Sequence, residues 1–384
     1  MRFGMQFFPD IPEAVKPAAQ YYDEAMRLVG LCDEYGYSHI RTVEHYFHHW
    51  GGYSPNPIVF LTAASQHTKT ARMVTGAVLP AFNSPLKLAS DLAMLDGFCH
   101  GRLDIGFARA FLPQEFRHFE VDIEESVERF EEGIEQVRLL LENENVTSKG
   151  KFHSFEDVTT HPRPVQKPRP NFYLAAVGTP ASFERAGRLG HWIMAIPGVG
   201  SDPISLMDSY RAAWAEAGHA GKPRIMMAVF MLCHEDREQA LRIAKPHVEG
   251  HFAAIVEAMH EYEVGAPAST YKGYDVMRQR IAERQRHRRR RGRRQAVGAR
   301  LGHIRQHQRD VGAFTEGASG ATGDGDQGNA KPPRMLDDIV ELGGLAGIRL
   351  RLEKVSDPFC HRTPEVTANF NGSRHDSARQ KFTI

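Results

Sequence analysis

The chain of 384 residues can build one large domain or two ordinary ones, and its 41% hydrophobic and 25% charged content is that of a folded globular protein. No apolar run approaches the roughly 20 residues that span a bilayer, no cleavage region marks the N-terminus as a signal peptide, and Cys32, Cys99, Cys233 and Cys360 form no Cys-x-x-Cys, so a reducing cytoplasm is expected, with no membrane span, disulfide framework or zinc site. The net charge of +1 is uneven: Arg278 to Arg309 holds 13 arginines and one acid, Glu283, and carries +12, which leaves −11 on an acidic body poorly suited to nucleic acid.

Arg2 to Phe8 reads as a first strand, closed by Pro9 and Pro12. Tyr21 to Gly36 has helical spacing, with Leu28, Leu31, Cys32 and Tyr35 at i, i+3, i+4 and i+7 on one side and Gly36 as its stop. Tyr37 to Val43 is a second strand, followed by a loop rich in His, Trp, Gly and Pro from Tyr46 to Pro57. Ile58 to Gln66 is a helix, and Ala71 to Leu79 an apolar strand of the kind buried on both faces. Leu86 to Phe98 is helical and Arg102 to Ala108 strand-like. Ile123 to Glu142 is an amphipathic helix with Val127, Phe130, Ile134, Val137, Leu140 and Leu141 on its inner stripe. Phe152 to Pro164 suggests a hairpin excursion. Then come a strand (Asn171 to Ala176), a helix (Pro180 to Leu189), a strand (His191 to Ile196), a helix (Ile204 to Ala217), a strand (Arg224 to Cys233) and a helix (Glu238 to Tyr262). This repeated βα alternation predicts a parallel α/β protein, though periodicity does not say whether its sheet closes.

Beyond Glu283 the character changes. The Arg-rich run leads into a small, polar, Gly-rich tract, Gly317 to Gly328, too poor in apolar surface to order itself. Fold-like sequence returns at Met335 to Glu353, where Leu336, Ile339, Val340 and Leu342 suit a short helix. Ile348, Leu350 and Leu352 alternate with Arg349, Arg351 and Glu353 as in a half-exposed strand. The chain is therefore read as a folded domain over 1–283, an exposed and mobile segment over 284–331, and an irregular segment over 332–384 with a closing helix and strand. The closing strand is expected beside Arg2 to Phe8. Two origins fit the unusual segment, a genuine insertion or a frame-shifted reading of the C-terminus.

The stretch His39 to Phe47 organises the rest. Ile40, Thr42 and Val43 suit a buried strand, and Glu44-His45 stand where it ends, the position at which barrel enzymes place catalytic groups. A neutral imidazole gives or takes a proton near pH 7; a His merely satisfied by a nearby carboxylate is the plainer reading. His45-x-x-His48 meets no matching acidic cluster, so no metal is expected.

Glu44-His45-Tyr46-Phe47, followed by Asn56-Pro57, resembles the signature of bacterial luciferase-like flavin monooxygenases. The resemblance runs in family order over roughly residues 1–265. It implies a (β/α)8 TIM barrel, here with its eighth strand incomplete or irregular. It implies that His45, beside Glu44, assists proton movements next to a flavin ring. Thr75 to Pro80 is similar to the family strand that carries a non-proline cis peptide against the flavin, which places that bond at Gly76-Ala77; a tightly packed strand is the alternative. Arg109, at the end of Gly101 to Ala110, matches the family arginine that grips the flavin phosphate, although pairing with an acid such as Glu115 would also explain it. Ala176 to Ser182 follows a strand and opens a helix whose free N–H groups suit an anion. Thr179 stands at its N-cap and Pro180 at its first position. By resemblance Gly178, Thr179 and Ser182 serve the phosphate; plain capping needs no ligand.

The implied activity is that of a two-component monooxygenase, fed reduced FMN (FMNH2) by a separate flavin reductase. O2 would attack the reduced flavin, and a C4a-peroxide sheltered from water would oxygenate a small organic substrate. No Gly-x-Gly-x-x-Gly fingerprint suggests a separate nicotinamide-binding domain. A homodimer or heterodimer is expected, with neither nucleic acid nor membrane as partner. Two other functions stay open: a deazaflavin-dependent oxidoreductase transferring hydride on the same barrel, and a non-catalytic flavin-binding protein. Phe47, Trp50, Tyr53, Phe82, Phe111 and Phe116 either line an apolar pocket or pack as ordinary core.

Overall fold

Short apolar strands and proline-started helices alternate along the chain. The computed structural model describes residues 2–196, 202–260, 348–351, 365–370 and 381–383. Its elements are β1 (Gly4–Phe7), α1 (Ala18–Gly30), β2 (His39–Thr42), α2 (Pro57–Gln66), β3 (Arg72–Thr75), α3 (Pro85–Phe98), β4 (Leu103–Phe107), α4 (Pro113–His118) and α5 (Ser126–Glu142). The hairpin β5 (Val146–Lys149) and β6 (Ser154–Val158) follows, then β7 (Asn171–Ala176), α6 (Pro180–Arg188), β8 (Trp192–Ala195), α7 (Pro203–Glu216), β9 (Ile225–Met227) and α8 (Arg237–His260). Proline opens α2, α3, α4, α6 and α7, where its missing N–H costs no helix bond. The Asn56 side chain accepts from Ile58 N and Val59 N, and Asp202 from Ser205 N, so α2 and α7 also start at true caps.

Seven strands form one parallel sheet in the order β1-β2-β3-β4-β7-β8-β9. The chain thus folds as an α/β protein with a curled parallel sheet covered by helices. The main core lies between sheet and helices and includes Ile40, Met73, Ile105, Phe107, Leu174 and Ile193. A smaller cluster, Val74, Ala77, Tyr173 and Met194, fills the inner face. Deeper on that face Arg72 grips Asp104 through two bonds of 2.7 Å, and Asn171 donates to the same carboxylate at 2.8 Å.

Several expectations need correction. α1 ends at Gly30, six residues early, and buries Tyr21, Ala25 and Val29, with Cys32 just beyond. Leu28 lies on its wet side, because the helix turns its other stripe to the sheet, and Leu31 and Tyr35, past its end, are exposed as well. The third strand stops at Thr75; Val78 rejoins the sheet by a bridge to Phe107. The strand expected over Arg224 to Cys233 has only three residues, since its neighbour β8 ends at Ala195, opposite Met227. Ile348–Arg351 (β10) does not lie beside β1. It pairs antiparallel with Glu365–Phe370 (β11), which pairs with Lys381–Thr383 (β12). Its apolar–charged alternation suits such a sheet better than a barrel strand buried on both faces. Among the described residues the seven-stranded sheet therefore has two free edges, β1 and β9. The segment expected to be mobile, 284–331, and the helix expected over Leu336 to Leu342 lie outside the described residues.

Candidate functional site

His45 stands three residues past the end of β2, at the carboxyl end of the sheet. Its ring packs against Trp50 (4.5 Å between centroids), Phe111 (5.7 Å, edge-on) and Phe8 (5.8 Å). Gly51, at φ +81°, lets the loop fold over that ring; a Cβ there would lie 2.8 Å from His45 Cβ and Cδ2.

The partner of His45 is Glu115, a fully buried residue on α4. His45 Nδ1 lies 3.1 Å from Glu115 Oε1, which also accepts the Tyr46 backbone N–H at 2.9 Å. An oxygen that already accepts one bond is served by a donor, so the proton belongs on Nδ1 and the lone pair on Nε2. Glu115 Oε2 has no partner among the described residues. The acid considered as a partner for Arg109 is thus turned towards His45.

The expected Glu44–His45 pair is not formed. Successive side chains of an extended segment point to opposite sides. Glu44 faces Tyr46, whose hydroxyl donates to it at 2.6 Å, Asn83 (Nδ2 donating at 3.1 Å) and the Leu79 N–H (3.1 Å). Burial pushes its carboxyl up to about 7; these three donors oppose the rise, and the charge of Glu115 adds to it. Glu44 therefore ties the end of β2 to the segment after β3.

The peptide bond between Gly76 and Ala77 is cis. A Cβ on Gly76 would overlap Arg41 Nε and Cγ, so only glycine fits there. Arg41 is buried, donates to Gly76 O and Gln6 Oε1 at 3.1 Å each, and leaves Nε without a partner among the described residues.

Arg109 lies two residues past β4, and Gly178 two residues past β7. The two strands are neighbours, with Phe107 opposite Leu174, so these ends meet at one side of the mouth. Thr179 holds the N-cap position of α6, but its hydroxyl bonds the Ser182 hydroxyl at 2.8 Å and caps no N–H. Both residues are exposed, and among the described residues no side-chain cap occupies the helix N-terminus. Glu44, His45, Gly76 and Ala77 thus share the β2–β3 side, and Arg109, Gly178, Thr179 and Ser182 the β4–β7 side.

The aromatic residues separate. Trp50 and Phe111 enclose His45. Tyr53 packs on Tyr21 and Tyr22, Phe82 and Phe116 pack on each other, and Phe47 is 60% exposed. His48, His49 and Glu257 bring ligand-type atoms within 4.8 Å of one another. His48 Nδ1, however, accepts the Trp50 N–H at 3.1 Å, which leaves its proton on Nε2 and neither nitrogen free for a metal.

Sequence reading missed Glu115 and Arg41. Glu115 lies 70 residues from His45, and no local spacing signals their pairing. Arg41 did carry a signal, a cation inside an otherwise apolar strand.

The sequence profile of the luciferase-like monooxygenase family matches residues 1–316, well past the roughly 265 residues over which the resemblance was legible. The oxygenase component of flavin-dependent trigonelline monooxygenase from Acinetobacter baylyi is 29% identical over 244 residues, 62% of this chain and 67% of that protein. The FMNH2-dependent dimethylsulfone monooxygenase of Pseudomonas putida is 28% identical over 183 residues, 47% of this chain and 48% of that protein. The chain thus spans about half to two thirds of these curated relatives. Among solved structures, monooxygenase RslO1 from Streptomyces bottropensis is similar with a TM-score of 0.65 at 44% identity, over 68% of this chain and 80% of that one. With the profile covering most of its length, the chain belongs to the luciferase-like monooxygenase family.

Proposed function

We propose that the chain is the oxygenase of a two-component system. It takes reduced FMN from a separate flavin reductase and uses O2 to oxygenate a small organic substrate. The observation that carries this reading is the buried His45–Glu115 pair at the mouth of the sheet, with His45 Nε2 left to exchange a proton. The relatives support flavin as the electron source: one is named an oxygenase component and the other FMNH2-dependent.

The residues fit FMN on features of their own. The uncapped N-terminus of α6, with Arg109 at the neighbouring strand end, suits a phosphate. Gly76, which admits no Cβ, lets the Arg41 side chain lie against the backbone at the β2–β3 side. Bound reduced FMN would supply the electrons that activate O2. His45 Nε2 takes up or returns a proton at the reacting centre, while Glu115 holds the ring and offsets the charge of the imidazolium. Phe8, Trp50 and Phe111 pack around the His45 ring and lower its contact with water. Arg109, Gly178, Thr179 and Ser182 hold the phosphate end.

The test is reconstitution with a generic flavin reductase, following O2 uptake and products for wild type and His45→Ala. Substrate-dependent oxygen incorporation that falls in the variant supports the reading. Turnover with reduced deazaflavin and no O2 uptake would replace it by hydride transfer, and FMN retained without any turnover would leave a flavin-binding protein.

A further inference from the structure

Arg41 carries a charge that the steps above do not use. It is the next-to-last residue of β2, with 7% of its surface exposed, and faces away from the helices that cover its neighbour Ile40. Its hydrogen bonds go to neutral oxygens, Gln6 Oε1 on β1 and Gly76 O at the mouth, each at 3.1 Å. Nε is left without a partner among the described residues. Burial holds the guanidinium down to about 10, so it is still charged at neutral pH.

The acids around it are engaged elsewhere. Asp104 on β4 is gripped by Arg72 and Asn171, with His39 at 3.9 Å. Glu44 faces Tyr46, Asn83 and Leu79, and Glu115 faces His45. Among the described residues no carboxylate forms an ion pair with Arg41. A buried cation without a counter-charge is costly unless an anion arrives from outside.

We propose that Arg41 is the counter-charge for the anionic ring of reduced flavin, so that the site selects reduced over oxidised FMN. This rests on the FMN reading above. The phosphate would occupy the β4–β7 side with Arg109 and α6, which directs the ring towards the β2–β3 side, where Arg41 bonds the Gly76 carbonyl. Reduced flavin loses its N1 proton near neutral pH and spreads the negative charge over N1 and the C2 carbonyl, whereas the oxidised ring is neutral. A cation near the ring would therefore distinguish the two forms.

The experiment titrates wild type, Arg41→Gln and Arg41→Lys anaerobically with oxidised and reduced FMN. It also follows the absorbance of bound reduced FMN against pH. Arg41→Gln should bind reduced FMN about tenfold more weakly, change its affinity for oxidised FMN by less than about threefold, and protonate its bound reduced ring roughly one pH unit higher than wild type. Arg41→Lys should recover part of both effects. Equal weakening towards both forms, or an unmoved protonation point, would overturn the proposal. Should Arg41→Gln not fold, the wild-type arm still decides: a bound reduced ring that protonates at the same pH as free reduced FMN overturns it. Wild type that binds neither form of FMN defeats the functional reading itself, and this proposal with it.

Discussion

Glu44 should make the folded protein lose stability as pH rises through neutrality. Its carboxyl is almost completely buried and stands at about 7 instead of 4.5, chiefly through burial. Between those two values the folded protein holds a proton that the unfolded chain has released. The stabilisation is therefore complete below 4.5 and is lost as pH climbs through about 7. The full interval corresponds to ~3 kcal/mol, of which about 2–3 kcal/mol falls between about pH 5 and about pH 7.5. Urea unfolding of wild type and Glu44→Gln across that range isolates the effect, because the amide cannot ionise. Wild-type stability, taken relative to the variant, should fall as pH rises. A flat difference, or one that grows with pH, would refute burial as the dominant influence on Glu44.

Replacing Glu115 by Gln should leave FMN affinity unchanged but lower oxygenation by ~10²-fold, since the carboxylate that orients the His45 ring through Nδ1 is gone; steady-state kinetics with a flavin-binding titration checks this. Arg109→Ala should weaken FMN by about 1–3 kcal/mol and leave riboflavin, which has no phosphate, bound as before; fluorescence titration with both ligands separates a phosphate contact from a structural arginine. Gly51→Ala should cost about 1–3 kcal/mol, because its backbone is left-handed and the new methyl meets His45; chemical denaturation reads the loss.

Local pattern made much of the scaffold legible and long-range pairing hid part of the site. Asn171–Ala176 was read at both ends because apolar residues, a preceding proline-rich segment and a following Gly-Thr-Pro turn all agree. Of the inner stripe read for α5, Phe130, Ile134, Val137, Leu140 and Leu141 are buried and Val127 is half-buried. The stripe of α1 was misread because Leu28 and Leu31 are apolar but face water, and residue type does not say which side meets the sheet. Gly76-Ala77 was placed by resemblance, and that bond is cis. The acid serving His45 was misassigned to its chain neighbour. Glu44 is adjacent in sequence but points to the other side, while Glu115 arrives on a six-residue helix that had not been read at all. The closing strand failed for a related reason, since alternation in Ile348 to Leu352 fixes a face and not a partner.

The most direct test of the account charges wild type and His45→Ala with reduced FMN under anaerobic conditions, then adds ¹⁸O2 with a panel of small aromatic and heterocyclic acceptors. Mass spectrometry follows the label. The account predicts that wild type places one labelled oxygen atom in at least one acceptor, and that His45→Ala, with flavin still bound, loses that product by ~10²–10⁴-fold. Equal labelled product from both proteins, or label recovered only as hydrogen peroxide with every acceptor, would contradict it.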